Sequence, residues 1–249
     1  YLVWYRKVLD LPVRNEVRMT GVSSIDELIA VDIEGVESGR VLTRHLILAT
    51  GRSGLGGFAV PDFLKGVDRA RWSHSADVID FSALEGKRVA VIGAGASSMD
   101  NAATALEAGA GAVDLLIRRK EMRRINMMTG IGSQGVVHGM HKLTDAWKWK
   151  FVDYTGSTQT PPPRSSTLRV SRHANARFFL DCGIISVAED GDGLAIETTQ
   201  GLMHYDFLIA ATGFLNDFSG RPEFSALASH IRSWEHGRQT PEMGPSRRG

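Results

Sequence analysis

The sequence has a single cysteine, Cys182, among its 249 residues. One thiol cannot build an intramolecular disulfide framework, and it excludes a redox-active Cys-x-x-Cys pair. Apolar runs also stay well short of the roughly 18 residues that a membrane-spanning helix needs, and no signal peptide is recognisable. The sequence therefore predicts a soluble, cytoplasmic protein with no membrane partner and no disulfide-exchange chemistry.

The chain also has no large excess of positive or negative charge. The chain has 29 Lys and Arg against 28 Asp and Glu, a formal net charge of +1. This balance gives no reason to expect a nucleic-acid partner. His138 and His141 lie only three positions apart, with no Cys or acidic cluster beside them, so they indicate a structural role and no metal site.

The most informative motif is a glycine turn between a strand and a helix. An apolar, β-branched strand at 88–92 leads into Gly93-Ala-Gly95-Ala96-Ser97-Ser98. In a dinucleotide-binding turn, the first glycine permits the tight bend and the second lets the backbone approach the pyrophosphate. The Ala-rich stretch 96–108 predicts the helix whose N-terminus faces that anion, and a second strand follows at 113–117. A glycine turn without a ligand is the alternative.

The residues after the second strand indicate which dinucleotide is bound. They are Arg118-Arg119-Lys120, with no acid before Glu121. An NAD site usually carries Asp or Glu there for the ribose hydroxyls, whereas Arg suits the 2′-phosphate of NADP. The pair Arg118 and Arg119 therefore favours NADP(H), the alternative being a solvated basic strand end.

Two segments that close on Ala-Thr-Gly flank this unit. A helix is predicted at 1–9, followed by strands at 17–22, 28–33 and 40–48, the last ending in Ala49-Thr50-Gly51. Strands at 194–199 and 206–212 predict a second hairpin-like pair ending in Thr212-Gly213. A further helix is expected at about 135–150. Arg164 and Arg169 are candidates for active-site cations, and the favoured alternative is that they are ordinary exposed arginines.

The glycine turn, its flanking Ala-Thr-Gly strands and the arginine pair together resemble the flavin-containing monooxygenase superfamily. That superfamily includes the Baeyer–Villiger, the N-hydroxylating and the CzcO-like bacterial flavoproteins. Gly93 to Asp100 is similar to its NADPH motif, and Ser73-His74-Ser75 lies where these enzymes carry a fingerprint histidine. Asp68 and Ala70 stand where the fingerprint has an aromatic residue and a glycine, which weakens the assignment of His74.

The resemblance implies an α/β fold, in which a Rossmann-like three-layer NADP domain is inserted between pieces of an FAD-type domain with a β-meander. The expected domains are 1–64 (partial FAD-binding domain), 65–204 (NADP-binding domain) and 205–249 (return to the FAD domain and a disordered tail). The family's N-terminal FAD glycine turn is not found in this sequence, so the resemblance implies a truncated form of such an enzyme.

The implied activity is an NADPH- and FAD-dependent monooxygenation. NADPH passes hydride to FAD, and a flavin C4a-hydroperoxide formed with O₂ oxygenates a small organic substrate. The cofactor-binding residues implied by the resemblance are Gly93, Gly95, Ala96, Ser97, Ser98, Arg118, Arg119, Thr50, Gly51, Thr212 and Gly213. The two Thr-Gly pairs would form hinges. His74 would be the catalytic residue, by helping to set the linker for domain rotation; the alternative is a histidine that caps or packs in a loop.

Two alternatives remain for the function. The chain could be a non-catalytic NADP-binding module, or it could belong to another class of NAD(P)- or FAD-dependent oxidoreductase. A short-chain type of NADPH dehydrogenase is disfavoured, because no Tyr in the sequence has a Lys four positions later.

Overall fold

The structure is a computed structural model and describes residues 1–51, 54, 56–126, 129–158 and 160–231. The helices among these residues are α1 (Leu2–Val8), α2 (Ala96–Glu107), α3 (Gln134–Gly139), α4 (Asp145–Thr158) and α5 (Arg164–Ser171). The strands are β1 (Val17–Ile25), β2 (Leu28–Gly35), β3 (Gly39–Thr43), β4 (Gly56–Phe58), β5 (Trp72–His74), β6 (Arg88–Ile92), β7 (Ala112–Leu116), β8 (Ala176–Phe179), β9 (Ile184–Asp190), β10 (Gly193–Thr198), β11 (Gly201–Tyr205), β12 (Phe207–Ala210) and β13 (Phe214–Asn216). No described helix has the length and apolar character needed to cross a membrane.

The chain folds into two compact units. Unit 1 comprises Tyr1–Gly57 and the described residues from Phe214 onward, and unit 2 comprises Phe58–Gly213. The boundaries thus differ from the domain limits expected from the sequence, because unit 2 begins before residue 65 and ends after residue 204. The disordered tail predicted at the C-terminal end of 205–249 lies outside the described residues.

Unit 2 is built on a five-stranded parallel sheet. Its strand order is β5-β12-β6-β7-β8, and each neighbouring pair is parallel. The predicted β–turn–α–β order is found in β6, α2 and β7. Because β6 is apolar and β-branched (Arg-Val-Ala-Val-Ile), it suits the centre of a sheet covered on both faces.

Successive residues of the parallel strands point to opposite faces of the sheet, and each face has its own core. Val89 and Val91 pack with Met99 of α2 and Val170 of α5 on one face. On the other face, Ala90 packs with apolar side chains of the antiparallel sheet β11-β10-β9. Helices, parallel sheet and antiparallel sheet therefore form three layers, which confirms the predicted α/β, Rossmann-like fold.

Unit 1 contains the predicted β-meander. β1, β2 and β3 form a three-stranded antiparallel sheet, in which Val22, Ala30 and Val31 are buried. The prediction of a strand over 40–48 was wrong in its extent, because β3 ends at Thr43 and residues 45–50 have no regular secondary structure.

Two other sequence predictions were also wrong. The strand near residue 206 does not form a hairpin with β10, because β10 pairs with β9 and β11, whereas β12 joins the parallel sheet between β5 and β6. The single helix expected at 135–150 is divided into α3, a short 3-10 helix at Met140–Lys142, and α4.

Candidate functional site

The predicted site residues of unit 2 lie at one edge of the parallel sheet. Because its strands run in the same direction, their carboxyl ends meet there. The glycine turn follows β6, the arginine pair follows β7, Thr212-Gly213 follows β12, and His74 ends β5. After β6 the chain crosses to α2 on one face of the sheet, whereas β12 is reached from β11 on the opposite face. Open α/β sheets bind ligands in the crevice that such a change of face leaves at the carboxyl ends of the strands, here beside β6.

Gly93 has a backbone conformation and a neighbour that require glycine. Its φ is +123°, and a Cβ at this position would lie 2.8 Å from the carbonyl oxygen of Ala211. The Ala211 N–H in turn donates to the carbonyl of Ile92. The turn after β6 therefore packs directly against the Ala-Thr-Gly segment that follows β12.

Gly95 differs from Gly93, because neither its backbone conformation nor its neighbours in the protein require a glycine. It is the residue before the first turn of α2, its φ is −95°, and a Cβ built on it meets no heavy atom within 4 Å. The space in front of it is therefore open to a ligand. Ala96 and Ser97 are also exposed, at the helix end where backbone N–H groups lack intrahelical acceptors. These groups and the helix dipole favour an anion.

Ser98 does not share this exposure. Its side chain is fully buried, and its hydroxyl donates to the Gly95 carbonyl at 2.8 Å. A Cβ on Gly93 would lie 3.5 Å from the Ser98 Cβ. Ser98 therefore shapes the turn and lets α2 approach β6, and in this conformation its hydroxyl is directed to the turn and not to the open space.

The arginine pair lies just beyond the carboxyl end of β7, which ends at Leu116. Arg118 is exposed and Arg119 is half-buried. The Arg119 carbonyl accepts from the N–H of Asp181, and the Ile117 carbonyl accepts from Cys182. The turn between β8 and β9 thus fixes the backbone from which the two guanidinium groups project.

His74 is completely buried, a placement that the sequence did not settle. Its Nε2 lies 3.0 Å from the Gly213 carbonyl oxygen, and its Nδ1 accepts from the Ala76 N–H. The ring stacks on Phe58 with centroids 4.6 Å apart. These contacts require a neutral ring with the proton on Nε2. Burial lowers the His74 pKa below its usual value, against the opposing effects of the Gly213 hydrogen bond and the Asp77 charge.

Complete burial and these contacts give His74 the geometry of a residue that holds the linker in place, and its catalytic role stays a prediction. Two more hydrogen bonds lie beside the His74 ring. The Thr212 hydroxyl donates to the Ala59 carbonyl, and the Ala59 N–H donates to the Gly213 carbonyl. Residues 58–59 and 212–213, where the chain enters and leaves unit 2, are therefore tied together. Thr50 and Gly51 belong to unit 1, where their hinge role stays a prediction.

The sequence did not reveal that Asp114, in the middle of β7, is a buried charged group. Asp114 of β7 is 1% exposed and accepts two hydrogen bonds from Arg177 of β8, each 2.8 Å long. The Tyr205 hydroxyl of β11 donates to the same carboxylate at 3.0 Å. Burial and the nearby Asp114 charge raise the Tyr205 pKa. A lone Asp within an apolar strand was the only signal, and its partners lie too far along the chain to be paired from spacing.

The part of the chain that the structure describes contains no group of three or more His, Cys, Asp or Glu arranged to hold a metal ion. Cys182 is a buried free thiol. What the edge does bring together is the exposed start of α2, the open position at Gly95, and Arg118 and Arg119.

A family model described as pyridine nucleotide-disulphide oxidoreductase matches residues 1–131. The chain belongs to this family. Its resemblance to flavin-containing monooxygenases is supported by a curated relative, the FAD-dependent urate hydroxylase of Xanthomonas campestris pv. campestris. The two are 33% identical over 243 residues, which are 97% of this chain and 51% of the relative. This chain thus spans about half the length of that relative.

Two solved structures show the same fold. L-lysine 6-monooxygenase from Pseudomonas syringae matches with a TM-score of 0.71 and 17% identity, over 91% of this chain and 59% of that one. The reduced form of ornithine hydroxylase from Pseudomonas aeruginosa matches with a TM-score of 0.69 and 16% identity, over 92% and 61%. The predicted resemblance to flavin-dependent monooxygenases is supported by the curated relative, whereas these two structures, at 16% and 17% identity, show the fold alone.

Proposed function

We propose that this chain forms the NADP(H)-binding part of a flavin-dependent monooxygenase acting on a small organic molecule with O₂. The observation that carries the proposal is the open space at Gly95, in front of the N-terminus of α2 and at the same sheet edge as Arg118 and Arg119. A relative named FAD-dependent urate hydroxylase supports the flavin chemistry.

The pyrophosphate would be held by the turn after β6. Gly95 leaves room for its oxygens, and the backbone N–H groups of Ala96 and Ser97 would donate to them. Gly93 and Ser98 act indirectly, because both are engaged in shaping the turn. NADPH supplies a hydride when bound; the residues described here bind and orient it.

The 2′-phosphate would be recognised by the arginines after β7. A guanidinium can donate two parallel hydrogen bonds to phosphate oxygens, whereas the neutral ribose hydroxyl of NAD gains little from it. Since no acid precedes Glu121 on this segment, nothing there favours the hydroxyls of NAD. This arrangement fits NADP(H) better than NAD(H).

The described residues of unit 1 do not contain a second dinucleotide-binding turn for the flavin. Among these described residues, no strand is followed by a glycine turn and a helix of the kind seen in unit 2. The roles proposed for Thr50, Gly51, Thr212 and Gly213 toward FAD therefore rest on the family alone.

Calorimetric titration of the full chain with NADP⁺ and NAD⁺ tests the proposal. We expect saturable binding of both, with NADP⁺ at least tenfold tighter because of its additional phosphate contacts (about 1.4 kcal/mol). The absorbance spectrum of the purified chain reports on bound flavin. Binding of NADP⁺ without flavin would favour the non-catalytic module, and no binding of either nucleotide would refute the proposed function.

A further inference from the structure

Arg169 of α5 extends along one side of α2, the helix behind the glycine turn. Its guanidinium donates to both carboxylate oxygens of Glu107, approaches the Thr104 hydroxyl at 3.5 Å and lies 3.5 Å from an Asp100 carboxylate oxygen. Positions 100, 104 and 107 share one helix face because they are separated by four and three residues. One side chain thus contacts three successive positions along that face.

Of the two acids on this face, Asp100 and Glu107, Asp100 lies closer to the N-terminus of α2. α2 begins at Ala96, so Asp100 lies in its second turn, about 6 Å along the axis from the first residue at 1.5 Å per residue. A carboxylate at this distance repels an anion bound at the helix end, and both Asp100 and Arg169 are partly exposed, so the effect is moderate.

Resting on the proposed nucleotide binding, we propose that Arg169 is a positioning residue for the pyrophosphate. It offsets the Asp100 charge behind the glycine turn and, through Glu107, holds α5 against α2 so that the guanidinium stays there. The pyrophosphate is common to NADP and NAD, so this contribution is the same for both nucleotides. That separates it from Arg118 and Arg119, which are placed for the 2′-phosphate alone.

The test compares dissociation constants of NADP⁺ and NAD⁺ for the full chain with Arg169→Gln, Asp100→Asn and the double variant, at low and at physiological salt. Arg169→Gln should weaken both nucleotides by the same factor, about threefold at low salt, as expected for one partly exposed charge pair. The loss should shrink at higher salt. In the Asp100→Asn background, the same substitution should cost less.

Arg172→Gln is the matched control, since Arg172 follows the same helix and its Nε donates to the Leu168 carbonyl. It should leave both dissociation constants unchanged. A purely structural Arg169 would lower the urea midpoint of Arg169→Gln without changing either constant, and that result would overturn the inference, as would an equal loss in the Asp100→Asn background. Failure of the wild-type chain to bind any nucleotide would instead refute the proposed function together with the inference.

Discussion

The Gly93 Cα faces the Ala211 carbonyl so closely that a Cβ on Gly93 would lie 2.8 Å from the oxygen. Gly93→Ala therefore forces a backbone shift and also adopts a positive φ that L-residues disfavour. We expect a loss of about 3 kcal/mol in the free energy of unfolding, from strain together with disrupted packing. Urea denaturation measures it, and a loss under 1 kcal/mol would contradict the prediction.

Gly95→Ala should have the opposite profile. The added Cβ meets no atom within 4 Å, and the φ of −95° is allowed for alanine, so the fold should be retained. The methyl group would occupy the space proposed for the pyrophosphate, and we expect at least tenfold weaker binding of both NADP⁺ and NAD⁺. Calorimetry and urea denaturation of the same preparation check it. Unchanged affinity would show that no pyrophosphate lies at Gly95.

Local patterns in the sequence were enough to predict β6, α2 and β7, because each signal lies within a few residues of the element that it describes. Strand pairing was not local. Both Ala-Thr-Gly segments follow an apolar run, but Phe207–Ala210 has β5 and β6 as neighbours, whereas residues 45–50 form no strand. An extended segment becomes a strand only when its backbone groups find partners.

The edge location of the glycine turn, the arginine pair and Thr212-Gly213 was predictable in part, since each follows a predicted strand. The burial of His74 and Ser98 was not, because it depends on Phe58, Gly213 and α2 folding against them. The Asp114–Arg177 and Arg169–Asp100 pairs join residues more than 60 positions apart, and one sequence carries no signal for such pairs.

Replacement of Arg118 and Arg119 by Ala should act on one nucleotide only. Removing the two guanidinium groups takes away the charge-assisted hydrogen bonds proposed for the 2′-phosphate, and we expect NADP⁺ to bind more than about tenfold less tightly. NAD⁺ should change by less than about twofold, since it lacks that phosphate. Lys87→Ala is the control, because Lys87 is exposed beside the amino end of β6, at the opposite edge of the sheet. Equal losses for both nucleotides would refute the assignment.

His74 should make unit 2 less stable in mild acid. Burial lowers its pKa in the folded chain, so below about pH 6.5 the unfolded chain binds a proton that the folded chain does not. Stability is therefore lost as the pH falls from about 6.5 towards the folded pKa. His74→Gln keeps a donor and an acceptor but does not titrate, and its urea midpoint should fall less between pH 7 and pH 5.

A direct reading of the ring separates this effect from other titrating groups. NMR titration of the His74 ring should give a midpoint below that of a free histidine, and the neutral form should carry its proton on Nε2, as the contact with the Gly213 carbonyl requires. A midpoint at or above the ordinary value would contradict the prediction, whatever the behaviour of the glutamine variant.

The contributions of Asp114 and Tyr205 to the free energy of unfolding should depend on each other. Tyr205→Phe removes one hydrogen bond but leaves Asp114 paired with Arg177, so about 1 kcal/mol of stability should be lost. Asp114→Ala leaves the buried hydroxyl without this acceptor and breaks the ion pair, and we expect about 3 kcal/mol. In the double variant the hydroxyl is gone, so its cost should be less than the sum of the single losses. Urea denaturation of all three measures the coupling, and strict additivity would show that the Tyr205 hydroxyl contributes nothing through Asp114.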